Sequence, residues 1–207
     1  MQRARGTTLI ELIIVTVVIG IMAAIMAPLM LSTLRANDDI LGDVVVLDKL
    51  RYATERLARE IREVQYASST TVPPTNCGET TNPTTDHYCI TTMNANSLTF
   101  RRYYTDSAGT LTGNDVAVSS TSSTVTLAYS DMVTTGAQVL TDELGATSNL
   151  AFAYYQQDGT TAATLAGNAN CIAVVTCVSY VEISIKLRHN NNDYIQRTRI
   201  ALRNPPI

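Results

Sequence analysis

The chain has 207 residues, 45% of them hydrophobic and 16% charged, with two histidines and a formal net charge of −3 at pH 7. That length accommodates one apolar anchor segment and a single domain of moderate size. Charge runs as 0 over residues 1–66, −6 over 67–177 and +3 over 178–207, which excludes the broad basic footprint expected of a nucleic-acid-binding domain.

The first element is apolar. Arg3, Arg5 and Gly6 precede a run from Thr7 to Leu34 in which Glu11 is the one charged residue. Leu12 to Leu31 supplies twenty uncharged residues, about the length that crosses roughly 30 Å of hydrocarbon. Arg3 and Arg5 ahead of the run place its leading side in the cytoplasm and the remainder outside. A secretory signal has a shorter apolar core with its small-residue cut site behind it. A plain single-pass anchor has no use for Glu11, because a carboxylate in hydrocarbon is costly. Ser32 to Asp39 is polar, and Asn37-Asp38-Asp39 is expected to loosen or re-cap the helix.

Helix is expected again over Ile40–Tyr66. Leu47, Leu50, Thr54, Leu57, Ile61 and Val64 recur at steps of three and four and draw one buried stripe. Arg51–Glu55, Glu55–Arg59, Arg56–Glu60 and Arg59–Glu63 are four-residue pairs that mark the opposite, solvated face. If helix is nearly continuous from Thr8 to Gln65, its 58 residues span roughly 87 Å at about 1.5 Å each.

From Ala67 onward Thr, Ser, Asn and Gly dominate and the apolar period shortens to two. Leu98 and Phe100, then Val125, Leu127 and Tyr129, then Leu150, Phe152 and Tyr154, alternate with polar neighbours. Val181, Ile183, Ile185 and Leu187 form the cleanest strand, with Tyr180, Glu182, Ser184 and Lys186 on its other face. Asn190 to Asp193 is a turn cluster, Tyr194 to Leu202 returns as its hairpin partner, and Pro205-Pro206 ends the ladder. Ser68 to Thr85 and Thr105 to Asn114 read as long surface loops. The fold class is therefore α+β: a long amino-terminal helix whose amphipathic half packs on an antiparallel sheet.

Four cysteines allow three connectivities. Local pairing, Cys77–Cys89 and Cys171–Cys177, is expected because each pair brackets a turn-rich loop. Zinc, with His87 beside Cys89, competes poorly because neither pair has the tight ligand spacing of a structural zinc site. No glycine-rich phosphate loop, Gly-x-Ser-x-Gly elbow or His-Glu-x-x-His helix occurs, so neither enzymatic activity nor a cofactor is expected. Asp142-Glu143 lacks the regular oxygen spacing of a calcium loop. His189 reads as a solvated turn residue, and the paired tyrosines Tyr103-Tyr104 and Tyr154-Tyr155 as strand packing. Lys186, Arg188, Arg197 and Arg199 are the one candidate surface for DNA.

The order Gly6-Thr7-Thr8-Leu9-Ile10-Glu11-Leu12, behind a short basic leader, resembles the amino terminus of type IV prepilins and pseudopilins. In that family cleavage follows the glycine and glutamate stands fifth in the mature chain. Cleavage after Gly6 makes Thr7 the first mature residue, Glu11 the fifth and Pro28 the twenty-second, where the family commonly has proline. Thr7 departs from the usual phenylalanine. The resemblance implies processing at Gly6 and amino-methylation of Thr7 by a prepilin peptidase, and pairing of Glu11 with a neighbouring subunit's amine during assembly. It also implies an inner-membrane subunit with its amino terminus cytoplasmic and residues 35–207 as a periplasmic or extracellular head. Other pilin subunits and the inner-membrane assembly platform are its expected partners. Leu50 to Arg62 and Gln196 to Asn204 are similar to the J-type minor pseudopilins and the O- or W-type minor pilins. A major pilin, and a pilus-tip subunit that binds DNA or a surface ligand, are the alternatives.

Overall fold

The computed structural model describes residues 8–67, 77, 87–105, 108–109, 111–121, 124–130, 137–142, 150–165 and 177–203. Gly6, Thr7, Glu143, Cys171, Pro205, Pro206 and nearly all of the expected 68–85 loop lie outside them.

Helix α1 runs without interruption over Leu9–Arg62, 54 residues with Pro28 inside. The expected loosening at Ser32–Asp39 does not occur. That stretch contains neither glycine nor proline, and its hydroxyls turn back onto the helix instead of capping a new one. Ser32 Oγ donates to the Leu29 carbonyl at 2.8 Å and Thr33 Oγ1 to the same oxygen at 2.9 Å. The helix ends at Arg62 with Arg59 and Arg62 in its last turn, where cations complement the carbonyl end of the helix dipole.

The chain divides into two compact units, Met1–Val44 and Val45–Ile207. Within the second unit, β1 (Tyr66–Ala67) pairs with β2 (His87–Tyr88). Strands β3 (Ile90–Met93), β4 (Ser97–Thr105), β5 (Leu111–Ser120), β6 (Val125–Tyr129) and β7 (Gln138–Thr141) follow one another across a five-stranded sheet. Strands β8 (Leu150–Tyr155), β9 (Tyr180–His189) and β10 (Asn192–Ala201) make a third sheet with β9 central. Every pairing is antiparallel. The class is α+β, as expected, but the described strands divide among separate sheets.

One core joins them. Val46, Leu50, Ala53, Leu57 and Ile61 of α1 share it with Phe100, Val116 and Leu127 of the larger sheet and with Val181, Ile183, Ile185 and Ile200 of the smaller one. Each such side chain larger than Ala53, fully buried, stabilises the fold by about 1.5–3 kcal/mol before entropy is counted. The expected strand alternations all bury the expected side chains, from Leu98 to Leu187.

Three further expectations need correction. Leu47 is 48% exposed and Val46 takes its place, because the stripe that continues from Leu50 and Ala53 passes one residue earlier around the helix. The expected 105–114 loop is largely strand: β4 reaches Thr105 and β5 starts at Leu111. Gly113 there is not a loop marker. A Cβ on it would lie 2.8 Å from the Tyr103 ring, so glycine admits the aromatic ring across the ladder.

The third correction is Glu60, expected on the solvated face but only 2% exposed. Its Oε1 accepts from Tyr129 Oη at 2.7 Å and Arg56 Nη2 at 2.9 Å, and its Oε2 from Arg102 Nη1 at 2.9 Å. Arg102 also lies over the Tyr129 ring, 4.8 Å from its centroid, and bonds Glu63 at 3.0 Å. The carboxylate thus ties α1 to β4 and β6. Glu60→Ala leaves Arg56 without a carboxylate and Arg102 with Glu63 alone, and should cost roughly 2–3 kcal/mol of unfolding free energy. This is the low end for a buried pair, since Arg56 and Arg102 keep 30% and 23% exposure. Urea unfolding of the full-length protein, followed by tyrosine near-UV circular dichroism, measures it.

Candidate functional site

Two regions carry the residues singled out by sequence: the amino-terminal part of α1 and the head's disulfide and basic strands. In the first, α1 begins with the Thr8 carbonyl accepting from the amides of Glu11 and Leu12 at 3.1 and 3.3 Å. Glu11 occupies the first turn, where the unsatisfied amides and the helix dipole favour a carboxylate. The helix is long and apolar enough to cross a membrane, and none of its most apolar window is buried by the chain itself. Ile10, Ile14, Val18, Ile21, Ile25 and Leu29 are all more than 45% exposed, and so are residues on the other sides of the same turns. A helix apolar all round needs an apolar surrounding.

Pro28 lacks the amide that the Ala24 carbonyl would accept. Gly20 has no neighbouring atom within 4 Å of an added Cβ, so no contact inside this chain requires glycine there. Gly6 and Thr7 adjoin this segment in sequence but lie outside the described residues.

In the head, Cys77 and Cys89 form a disulfide with Cα atoms 5.1 Å apart. Each sulfur is therefore occupied by the other, which removes both as thiolate ligands beside His87. Arg101 locks this loop onto the larger sheet: Nη1 donates to the Cys77 carbonyl at 3.0 Å, while Nε and Nη2 grip Asp115 at 2.7 and 3.1 Å. Cys177 is also disulfide-bonded; its expected partner, Cys171, lies outside the described residues. Asp142, considered for calcium, instead meets Lys49 at 3.3 Å.

The four candidate DNA-binding cations are mostly engaged by their own sheet. Lys186 and Arg188 both approach Asp193, at 2.7 and 3.8 Å. Arg199 meets Glu182 at 2.8 Å, donates to the Gly159 carbonyl and stacks on Tyr155 at 4.2 Å. Only Arg197 makes no ion pair among the described residues. No protein-family model matches this chain, and no curated protein matches it.

Sequence reasoning missed Arg102, Tyr129 and Asp115 as partners of Glu60 and Arg101. The available signal was positional: Glu60 is three residues from Leu57 and one from Ile61, on the margin of the buried stripe.

Burial raises the phenol of Tyr88 to about 12 and, with the Glu60 hydrogen bond, that of Tyr129 to about 12; burial also raises Tyr154. A folded-state value above the unfolded value of about 10 means that the neutral phenols favour the fold. Their contribution is complete below pH ~10 and is lost as pH rises through about 12. Alkaline titration should therefore show phenolate absorbance from these residues appearing together with loss of the head's tertiary circular dichroism. Phenolate formation complete while that signal is intact would contradict the burial argument. Separately, Cys89→Ser should lower stability by about 2–3 kcal/mol, read from urea midpoints of oxidised wild type and variant.

Proposed function

We propose that this chain is a structural subunit of a type IV pilus or type II secretion pseudopilus, a minor pilin or pseudopilin, assembled through its amino-terminal helix. The observation that carries the reading is a strongly apolar helix that its own chain leaves uncovered, bearing one carboxylate in its first turn. Lipid covers the apolar surface of such a helix. A bundle of like helices covers it equally well and adds a partner for Glu11. A carboxylate buried without a partner is destabilising by several kcal/mol, so the free amine of a neighbouring subunit's Thr7 selects the assembled position. The prepilin peptidase that cuts after Gly6 creates that amine, and the inner-membrane assembly platform moves the subunit from lipid to fibre.

Pro28 and Gly20 give this helix its weak stretch. Alanine at Gly20 meets no steric obstacle within the chain and favours helix by about 1 kcal/mol. The glycine's use thus lies in unwinding between Gly20 and Pro28 or in close approach by another helix. A minor rather than a major subunit is favoured by the cysteines: major pilins usually close a carboxy-terminal loop with a disulfide that embraces the last strands, whereas here Cys171 and Cys177 are close together in sequence and precede the β9–β10 hairpin. A tip subunit for DNA is the weaker reading, since Lys186, Arg188 and Arg199 are already turned onto carboxylates of their own sheet.

Mass spectrometry of the protein from host membranes tests the reading. The expected mature chain starts at Thr7, methylated on its amine, with Met1–Gly6 absent. An intact Met1, or a cut beyond Leu34, contradicts it.

A further inference from the structure

We infer that the free edge of β10 is a docking site for an extended, acidic peptide segment of another protein, which adds as a fourth strand to the β8–β9–β10 sheet. The inference is independent of how the amino-terminal helix is used.

Strand β10 is the sheet's outer strand, and all ten of its residues pair with β9 without a bulge. The two-residue turn at Asn190 and Asn191, with φ of 45° and 66°, has the left-handed form that closes a hairpin on a hydrogen-bonded pair. Tyr194, Gln196, Thr198 and Ile200 therefore direct their backbone groups to β9, and Leu202 continues the series with its amide on the Ser179 carbonyl at 2.9 Å. Asp193, Ile195, Arg197, Arg199 and Ala201 direct theirs outward, and among the described residues those groups have no backbone partner.

Exposed edges of this length are normally guarded by proline, a bulge or charges set across the edge. Here two of the three charges, Asp193 and Arg199, are turned back onto the sheet. Asp193 is drawn back to Lys186 and Arg188 on β9, and Arg199 reaches across β9 to Glu182 and the Tyr155 ring of β8. Among the described residues the backbone ladder is left clear.

Beside this edge, the helix-facing side of β10 and the flank of α1 enclose an open groove of about 430 Å³. Ala58, Arg59, Arg62, Gln196, Thr198 and Arg203 line it. Glu55 and Glu63 line it too, and each is already paired, with Arg51 at 2.8 Å and Arg102 at 3.0 Å. Arg59, Arg62 and Arg203 are exposed and make no ion pair among the described residues. A strand added to β10 sends alternate side chains into this groove, and the three arginines select carboxylates there. They also argue against a second copy of this chain: pairing β10 with itself brings Arg197 and the groove arginines of both copies together.

The test uses the full-length protein in detergent micelles and a fluorescent peptide of about eight alternating Glu and Val residues. Anisotropy should report binding, and hydrogen exchange should show new protection at the amides of Ile195, Arg197 and Arg199. N-methylation of alternate peptide amides should weaken binding at least about tenfold, as should Arg59→Glu with Arg62→Glu. Arg197→Pro removes one outward amide without touching the β9 ladder and should weaken it similarly. If that variant does not fold, the N-methylated peptide on the unaltered protein decides the same point. Equal binding of a Lys–Val peptide, indifference to N-methylation, protection elsewhere, or protection that grows with protein concentration alone would each overturn the proposal. So would a short DNA duplex binding this edge in place of the peptide.

Discussion

The carboxylate of Glu60 fixes the head. It sits in a helix face that is otherwise apolar or small, and a buried charge there is tolerable only because three groups converge on its two oxygens. Two of those groups come from β4 and β6, so the interaction sets both the rotation of α1 on the larger sheet and its position along the helix axis. Apolar packing alone specifies such a register weakly, because neighbouring leucines and valines exchange places at small cost. The exposure of Leu47 and burial of Val46 are consistent with that rotation. The same register holds Arg59 and Arg62 on the flank that faces β10.

Much of this fold was legible in the chain. The steps of three and four from Leu50 to Val64 located the buried face of the helix, and the alternation from Val181 to Leu187 located the central strand of the smaller sheet. What alternation does not carry is partner choice. Period two states that a strand has a wet and a dry face, but not which strand lies beside it, so the division into separate sheets was not readable. Strand β5 was hidden because its first half, around Gly113 and Asn114, has turn-like composition. The glycine there answers to the Tyr103 ring, a contact made only after β4 and β5 pair. Glu60 was misplaced because a four-residue spacing from Arg56 fits a surface pair as well as a buried one.

The candidate assembly segment was legible in a different way. Length, the absence of charge and the position of Glu11 are properties of the chain itself, and the uninterrupted helix from Leu9 adds an element long and apolar enough to cross a membrane. The polar stretch Ser32–Asp39 invites loosening or re-capping because Asn and Asp favour caps. Without a glycine or proline to stop propagation, the helix continues through it.

Glu11 is where the account is most exposed, because anchoring and assembly ask different things of it. Removing the carboxylate makes the segment more apolar, so insertion into the membrane should be retained or improved, while under the proposed assembly a neighbouring subunit's amine would lose its partner. The direct measurement is the distribution of wild type and Glu11→Ala between membrane and sheared-fibre fractions of the host. The account predicts normal cleavage and membrane content for the variant with little or none in fibres. A variant that enters fibres as well as wild type would contradict it.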